Sequence, residues 1–449
     1  MAVKRQDSAT PDFPHISPDA RRLQERAHAL IPGGAHTYAK GDDQYPSVAP
    51  PFIVRGRGCH VWDVDGNEYV EYGMGLRAVA LGHAFPKVVD AARRQLECGT
   101  NFVRPSPLEL ACAERFLDCV RTAEMVKFTK NGSDATTAAV KLARAATGRD
   151  LVAMCGDQPF FSTDDWFIGV TAMPAGIPDA IRNLSVKFRY NDLPDLDDVL
   201  RRHQGRVACV ILEAETTVPP LPGYFDGIRR LCDAHGVILI LDENITGFRW
   251  DVGGAQKLHG IRPDLSCFGK AMANGFALSA LAGRRDLMEL GGLRTSGERV
   301  FLLSTTHGAE THALAASIAT METYQSEPVI ETLHRQGERL RAGVNQAIAL
   351  HGVEGYVEIL GRPCNLVFAT RDTERKPSQP LRTLFMQELI RRGVIGPSFV
   401  VSYSHTDADI DRTVAAASEA LAVYRRALDD GPERFLVGPS VRPVMRPRN

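Results

Sequence analysis

Arg206-Val-Ala-Cys-Val-Ile-Leu212 and Val237-Ile-Leu-Ile-Leu241 are two continuous apolar runs, separated by one predicted helix near residues 225–235. Runs of this kind are typical of strands that are buried on both faces of a parallel sheet. Two such strands joined by a crossover helix predict a right-handed βαβ unit. Ligands of α/β sheets bind beyond the carboxyl ends of the strands. We therefore expect a site around Glu213 and Asp242, the residues that follow the two runs.

A lysine stands at the same predicted edge. Lys270 ends the stretch Pro263-Asp-Leu-Ser-Cys-Phe-Gly-Lys270, and the chain contains only 10 lysines against 43 arginines, so this placement is less expected by chance. A lysine and the carboxylate of Asp242 flanking one cofactor predict pyridoxal phosphate (PLP) chemistry. The lysine holds the aldehyde as a Schiff base, and the carboxylate keeps the pyridine nitrogen protonated. The competing interpretations are a surface lysine and a strand-end aspartate that caps the next turn.

A phosphate group needs backbone N–H donors at the beginning of a helix. Asn131-Gly-Ser-Asp-Ala135 opens a predicted helix over 133–147, and we expect Gly132 and Ser133 to bind the phosphate. An ordinary helix N-cap without a ligand is the alternative. Phe160 is the candidate to stack on the cofactor ring, although most phenylalanine pairs belong to the core.

Composition places the chain among soluble globular enzymes. Its net charge is −1, so no bulk attraction to nucleic acid or membranes is expected. Nine scattered cysteines without a CxxC spacing favour a reducing cytoplasm over a disulfide framework and give no metal-binding pattern. The polar N-terminus lacks the apolar core of a signal peptide, and no apolar run reaches the length of a membrane span. We therefore expect a cytoplasmic enzyme without a metal centre.

The chain divides into five predicted parts. Short apolar strands alternate with helices in its middle, and long helices return after residue 309. The final residues are rich in Pro and Arg, a composition typical of disordered segments. The predicted parts are a flexible N-terminus (1–18), an N-terminal segment (19–80) that starts with a helix over 19–30, a large PLP-binding domain (81–326), a small C-terminal domain (327–430) and a flexible tail (431–449).

Seven motifs, in order along the chain, resemble the class III aminotransferases of PLP fold type I, and within them the glutamate-1-semialdehyde aminomutases. The similarity runs from about residue 28 to residue 425. One motif alone is weak, whereas seven in register are specific. They are Ile31-Pro-Gly-Gly34, Val61-Trp-Asp-Val-Asp-Gly-Asn67, Leu81-Gly-His83, Lys141-Leu-Ala-Arg-Ala-Ala-Thr-Gly148, Asp242-Glu-Asn-Ile-Thr-Gly-Phe-Arg249, Gly253-Gly-Ala-Gln256 and Phe268-Gly-Lys270.

The resemblance implies an α/β fold, with a mostly parallel seven-stranded sheet in the large domain and a smaller α+β domain formed by the N- and C-terminal segments. Lys270 matches the lysine that binds the PLP aldehyde, and Asp242 matches the partner of the pyridine nitrogen. Thr305 matches a threonine that reaches the phosphate of the neighbouring subunit, which implies a homodimer. The other matches to cofactor-binding positions are Gly132, Ser133, Phe160, Glu213 and Asn244.

Substrate-facing positions depart from the family pattern. The stretch 397–405 lacks the glutamate that serves the mutase reaction, and Lys40 stands where the family has a carboxylate-binding arginine. Asn244 replaces a common valine. Lys40, Arg77 and Arg104 are the candidates to pair with a substrate carboxylate.

These departures favour PLP chemistry on another substrate. We expect a transaminase that moves an amino group from an amino-acid donor to a keto acceptor of specialised metabolism. The acceptor is expected to be a cyclic keto acid, such as a dehydroshikimate-like ring that gives an aminobenzoate, or a ketosugar. The aminomutase reaction and a non-catalytic PLP-fold subunit are the alternatives. A racemase or decarboxylase also stays open, because the orientation of the substrate about Cα selects the bond that breaks.

Overall fold

The computed structural model describes residues 14–448. Within this range the first helix begins at Pro18, where the Ser17 hydroxyl accepts a hydrogen bond from the Ala20 N–H. The helix predicted over 19–30 is confirmed. Most of the expected flexible N-terminus, residues 1–13, lies outside the described residues.

The strands form a seven-stranded, a four-stranded and a two-stranded sheet. In chain order the strands are β1 (Ile53–Arg57), β2 (His60–Asp63), β3 (Glu68–Glu71), β4 (Met125–Thr129), β5 (Leu151–Cys155), β6 (Ser185–Phe188), β7 (Val207–Glu213), β8 (Ile238–Glu243), β9 (Leu265–Phe268), β10 (Ser279–Gly283), β11 (Val357–Leu360), β12 (Val367–Thr370) and β13 (Val394–Ile395).

Helices cover both faces of the large sheet and form most of the remaining structure. In chain order they are α1 (Pro18–Leu30), α2 (Met74–Arg77), α3 (Pro86–Glu97), α4 (Pro107–Cys119), α5 (Gly132–Thr147), α6 (Asp165–Ile168), α7 (Asp179–Arg182), α8 (Leu193–Arg202), α9 (Tyr224–His235), α10 (Gly254–Leu258), α11 (Arg285–Met288), α12 (Thr311–Ser326), α13 (Val329–Leu350), α14 (Gln379–Ile390) and α15 (Asp407–Asp430).

The seven-stranded sheet has the order β4-β10-β9-β8-β7-β5-β6. Only β10 is antiparallel to its neighbours, and the other adjacent pairs run parallel. β7 and β8 are the two apolar runs of the sequence, α9 connects them, and every residue of β7 is buried. Strands buried on both faces must be apolar along their whole length. The predicted mostly parallel seven-stranded sheet is therefore confirmed.

The smaller α+β part joins the two ends of the chain, as the family resemblance implied. β1, β2 and β3 form an antiparallel sheet, and β13 adds to its edge in parallel with β3. In this pairing Val394 lies opposite Val70. The long helices α13 and α15 pack against each other, and α14 packs on α15. An N-terminal sheet is thus completed by a strand from the C-terminal part.

The C-terminal tail differs from its prediction as a flexible segment. Val441 is buried, and its backbone N–H donates to the hydroxyl of Thr383 at 2.9 Å. The Val437 N–H donates to the side chain of Gln387 at 2.8 Å, and Arg446 pairs with Asp43. Phe435, Leu436 and Met445 are partly buried against the core, whereas Val437 is exposed. Burial of apolar area and satisfied backbone donors offset the cost of ordering a Pro-rich chain.

Two further expectations concern thiols and membranes. All nine cysteines are free thiols, and eight of them are buried. Among residues 14–448, no helix combines the length and the apolar character needed to cross a lipid bilayer.

Candidate active site

The carboxyl ends of β7, β8 and β9 bring the predicted residues to one edge of the sheet. Glu213 is the last residue of β7 and lies beside Asp242 of β8 in the parallel register. Lys270 follows two residues after β9. The three side chains are close enough to perturb one another's ionisation. The structure therefore assembles the lysine–carboxylate pair that the sequence predicted.

Lys270 stands in a strained and partly buried position. Its φ is +45°, a conformation that residues other than glycine rarely adopt. Burial lowers the pKa of its ammonium group, while Asp242 and Glu213 oppose that shift and the charges of Arg77 and Arg249 support it. Burial thus favours a neutral amine, which is the form that attacks an aldehyde.

Asp242 is held by its neighbour in the chain. Its Oδ1 accepts one hydrogen bond from the Asn244 backbone N–H at 2.9 Å and a second from the Asn244 side-chain amide at 2.8 Å. Burial raises the pKa of Asp242, and the charge of Lys270 together with the two Asn244 hydrogen bonds opposes the rise. Because both bonds go to Oδ1, Oδ2 stays available for a cationic ring nitrogen.

Glu213 is a buried carboxyl group beside two charged residues. Burial and the nearby Asp242 raise its pKa to about 8, although Lys270 and Arg77 oppose the rise. The backbone of Glu213 is fixed by Gln158, whose side-chain amide donates to the Glu213 carbonyl at 2.7 Å and accepts from its N–H at 2.8 Å. Sequence reasoning missed Gln158, because no motif marks a glutamine that pairs with a strand end.

Glu243 has a different environment from Asp242, although the two residues are adjacent. Its carboxylate accepts hydrogen bonds from the backbone N–H groups of Ala255 and Gln256 at 2.9 and 2.7 Å and from the hydroxyl of Thr246. The Glu243 carboxylate therefore fixes the beginning of α10, and its hydrogen bonds give it a structural role.

The predicted phosphate cradle lies at the beginning of α5. Asn131 caps this helix by accepting from the Asp134 N–H at 3.0 Å, and the N–H groups of Gly132 and Ser133 remain available for an anion. The Ser133 hydroxyl accepts from the Thr163 N–H at 3.0 Å, which leaves its own proton to donate. These donors fit a phosphate.

Two glycines make room for Asn244 between this cradle and the lysine. A Cβ atom at Gly132 would lie 2.5 Å from Oδ1 of Asn244, and a Cβ atom at Gly269 would lie equally close to the same oxygen. Asn244 therefore packs against both the first turn of α5 and the residue before Lys270. A PLP group fits this arrangement, because its phosphate, aldehyde and ring nitrogen each have a matching partner.

The two phenylalanines of the predicted stacking pair differ in burial. Phe161 is buried and belongs to the core, whereas Phe160 is 43% exposed and meets Phe167 edge to face, with ring centroids 5.5 Å apart. An apolar ring that stays accessible beside the cradle is compatible with stacking, and this role of Phe160 stays a prediction.

The three candidates for substrate binding lie in different surroundings. Arg77 is half-buried and lies within electrostatic range of Lys270 and Glu213. Lys40 and Arg104 are exposed, and no contact among residues 14–448 ties them to this site. The roles of all three stay predictions.

Two residues that sequence reasoning missed accompany Arg77. Asn365 accepts a hydrogen bond from Arg77 Nε at 2.8 Å. The fully buried Arg249 donates to the Arg77 carbonyl at 2.8 Å. Arg249 ends one of the motifs that carry the family resemblance. The motif marks the residue, but it does not predict the contact with Arg77.

Thr305 lies on the surface of the protomer, in a region that exposes apolar side chains. The loop that contains it is joined to the loop of Val103 by a hydrogen bond from the Asn101 side chain to the Thr306 carbonyl at 3.0 Å. Val103 is fully exposed, and Phe301 is 70% exposed. Contiguous exposed apolar patches mark interfaces, whereas single exposed apolar side chains are ordinary, so the contact of Thr305 with a second copy stays a prediction.

A group of possible metal ligands occurs elsewhere. Cys59, His60 and Asp409 lie close together, but Asp409 already accepts hydrogen bonds from both other side chains and caps α15 together with Thr406. Burial raises the pKa of the Cys59 thiol well above its usual range, so a thiolate ligand is disfavoured. The hydrogen bonds explain this group without a metal.

Known proteins share both the sequence and the architecture. A sequence profile of the family described as "Aminotransferase class-III" matches residues 40–421. A glutamate-1-semialdehyde 2,1-aminomutase of Roseiflexus castenholzii is 34% identical, over 91% of this chain and 98% of that protein. A 3-aminobutyryl-CoA aminotransferase of Cloacimonas acidaminovorans is 32% identical, over 90% of this chain and 97% of that protein.

A solved structure resembles the fold described above. It is the PLP internal aldimine form of the FumI protein of Sphingopyxis sp. MTA144, with a TM-score of 0.84 and 29% identity, covering 93% of this chain and 99% of that one. That structure contains PLP, and the lysine–carboxylate edge described here fits the same cofactor.

Proposed function

Because the chain belongs to the class III aminotransferase family, we propose that this PLP-dependent enzyme is a transaminase acting between an amino-acid donor and a separate keto acceptor. The observation that carries the proposal is the edge where Lys270, Asp242 and Glu213 meet. A non-catalytic PLP-fold subunit would have no reason to keep a strained, partly buried lysine beside a hydrogen-bonded carboxylate.

Each polar residue of the edge has a task in this chemistry. Bound PLP supplies an electron sink for the electrons released when a bond at the substrate Cα breaks. Lys270 would hold the cofactor between turnovers, and its freed Nζ would take the proton from the donor Cα and deliver it to C4′ of the cofactor. Asp242 places a negative charge at the ring nitrogen, and Asn244 orients that carboxylate. Gly132 and Ser133 hold the phosphate.

The choice of a separate acceptor rests on residues 397–405. This stretch contains no acidic residue, and the family resemblance gives the mutase reaction a glutamate there. Its side chains are used structurally: the Val401 carbonyl accepts from Arg249, and the Ser404 hydroxyl donates to the Leu81 carbonyl at 2.6 Å. We propose a cyclic keto acid or a ketosugar of specialised metabolism as the acceptor. The aminomutase reaction is the second candidate, because several relatives carry that name.

The test separates the two reactions. The enzyme is converted to the amine form of its cofactor with a panel of amino acids and then mixed with keto acids and ketosugars. Return of the visible absorbance of the lysine-bound cofactor identifies the acceptor. In parallel, glutamate-1-semialdehyde is supplied without any amino donor. Sustained formation of 5-aminolevulinate over many turnovers would replace the transaminase proposal with the mutase.

A homodimer is part of this proposal. Thr305 is exposed, and the exposed Phe301 and Val103 lie in its own loop and in the loop hydrogen-bonded to it. A second copy that covers these apolar groups would receive Thr305 at its phosphate cradle. The nine unpaired thiols support a reducing location, and we propose the cytoplasm, with small molecules as the ligands and no role for nucleic acid or membrane.

A further inference from the structure

We propose that the left-handed turn α2 builds a carboxylate-binding subsite, in which the Arg77 guanidinium binds a carboxylate of the substrate and Asn365 positions the arginine. This inference rests on the proposed function, because it assigns a substrate class to the same site. Arg77 then determines specificity, and Asn365 is a positioning residue. Lys40 and Arg104 are not part of the subsite.

The backbone of α2 is the first observation. Met74, Gly75, Leu76 and Arg77 have φ angles of 42°, 57°, 57° and 71°, so one complete helical turn is left-handed. In this conformation the Cβ atom of an L-residue crowds the following carbonyl oxygen, and only Gly75 avoids that cost. Strained backbone persists where surrounding contacts over-determine it, and it concentrates at functional sites.

The contacts that hold the turn come from several parts of the chain. The Arg77 N–H donates to the Gly73 carbonyl at 2.9 Å, and the Val79 N–H donates to the Met74 carbonyl at 3.0 Å. Arg249 Nη2 donates to the Arg77 carbonyl at 2.8 Å. Because Arg249 also donates to the carbonyls of Cys364 and Val401, it ties the turn to both the large domain and the small domain.

The guanidinium of Arg77 uses only one of its three nitrogens in a hydrogen bond to another side chain. Its Nε donates to Oδ1 of the buried Asn365 at 2.8 Å, which fixes the plane of the group and leaves both terminal nitrogens available. Among residues 14–448 no carboxylate accepts a hydrogen bond from Arg77. Burial and the charge of Arg249 lower its pKa to about 10. The charge of the nearby Glu213 opposes this shift, but no carboxylate contacts the free terminal nitrogens, so an anion that binds them would further stabilise the cation.

The expected anion is a carboxylate. The terminal nitrogens of arginine form a planar fork that matches the two oxygens of a carboxylate. The phosphate of the cofactor already has a separate cradle at the beginning of α5. Arg77 lies within electrostatic range of Lys270, so the carboxylate belongs to the molecule whose amine is transferred. Neutral amines are therefore poor substrates.

The test compares each reactive amino acid with its amide. L-Alanine and L-alaninamide, and L-glutamate and its α-amide, are mixed with the PLP-loaded enzyme, and the loss of visible absorbance is followed in a single turnover. Succinate, which cannot react, is titrated against the cofactor fluorescence. The variants are Arg77→Gln, Arg77→Lys and Asn365→Ala, with the exposed Arg93→Gln as the control.

Arg77→Gln is expected to weaken succinate binding about tenfold to hundredfold, the range for a lost charge-assisted bond, and to remove the preference for acid over amide. Arg77→Lys and Asn365→Ala lose part of the preference and keep the cofactor absorbance. An unchanged acid-to-amide ratio and unchanged succinate affinity in Arg77→Gln overturn the subsite. Equal binding of succinate and sulfate by the unmodified enzyme also overturns it. A wild-type protein that binds succinate but transaminates none of the amines contradicts the proposed function and leaves the subsite supported.

Discussion

Asn244 donates two hydrogen bonds to a single oxygen of Asp242, one from its backbone at 2.9 Å and one from its side chain at 2.8 Å. A valine, which the family resemblance places at this position, can make only the first. The side-chain bond stabilises the ionised carboxylate against the desolvation that raises its pKa.

Asn244→Val therefore tests the electron sink. We expect the single-turnover rate of amine transfer to fall about tenfold, because one hydrogen bond to a charged group is lost. The fall should be larger at low pH, where protonation of Asp242 competes. The exposed Asn183→Ala is the control. If the variant kept the rate and the pH profile of the wild type, the Asn244 side chain would not be needed to stabilise the Asp242 carboxylate.

Lys270→Ala is expected to abolish the visible absorbance of the bound cofactor and to lower turnover by at least about 10²-fold to 10⁴-fold, the range for a lost acid–base group. Absorbance spectra and steady-state assays measure both effects. Lys257→Ala is the matched control, because Lys257 is a largely exposed partner of Asp251. A coloured and active Lys270→Ala protein would rule out the assignment.

Glu213 predicts a pH-dependent stability of the cofactor-free protein. Its pKa is about 8 in the fold and near 4.5 in the unfolded chain. The protonated carboxyl is tolerated when buried, so stability falls as the pH rises from about 4.5 to 8. Glu213→Gln should remove this loss and exceed the wild type in Tm by a margin that grows over pH 5 to 8. The exposed Glu114→Gln should follow the wild type.

Dimers formed from two different variants can show whether Thr305 serves the site of its own protomer or the site of the partner. Thr305→Val should weaken cofactor binding about tenfold, the effect of one lost bond to a phosphate. At limiting PLP, an equal mixture of Thr305→Val and Lys270→Ala chains should regain up to about a quarter of the wild-type activity, because half of the dimers are mixed and each mixed dimer has one site with both intact residues. If Thr305 served its own protomer, the mixture would regain nothing.

Removal of residues 437–449 tests the packed tail. We expect Tm to fall by several degrees, because the deletion removes the buried Val441 and its bond to Thr383. Val441→Ala, which keeps the backbone bond, should show a smaller loss. Equal Tm values for the truncated and complete chains would indicate that the tail contributes no stability.

The large sheet was predictable because its strands are buried on both faces. The runs at 206–212 and 237–241 became β7 and β8 with limits shifted by one or two residues. Period and length identify such strands without knowledge of their neighbours. The edge containing Asp242 and Lys270 then followed from parallel topology alone.

Contacts between distant segments were not predictable in the same way. The left-handed turn at Gly75-Leu76-Arg77 is one example, because part of what holds it is the distant Arg249, which donates to the Arg77 carbonyl. The tail was misjudged for a similar reason: its composition suggests disorder, whereas Val441 contacts a helix formed about 60 residues earlier. Tertiary contacts overrode local preference in both places.

The pairing of β3 with β13 sets an order of events during synthesis. Val70 leaves the ribosome more than 300 residues before its partner Val394. At about 5–20 residues per second, the N-terminal sheet waits roughly 15 to 65 s for its last strand. During this interval the edge of β3 is open, and Tyr69 and Val70, which are fully buried in the finished protein, lack part of their cover. The nascent chain therefore exposes the edge of β3 to chaperones and to mispairing until residues 394–395 have been synthesised. The N-terminal sheet is complete only after this late part of the chain has folded onto it.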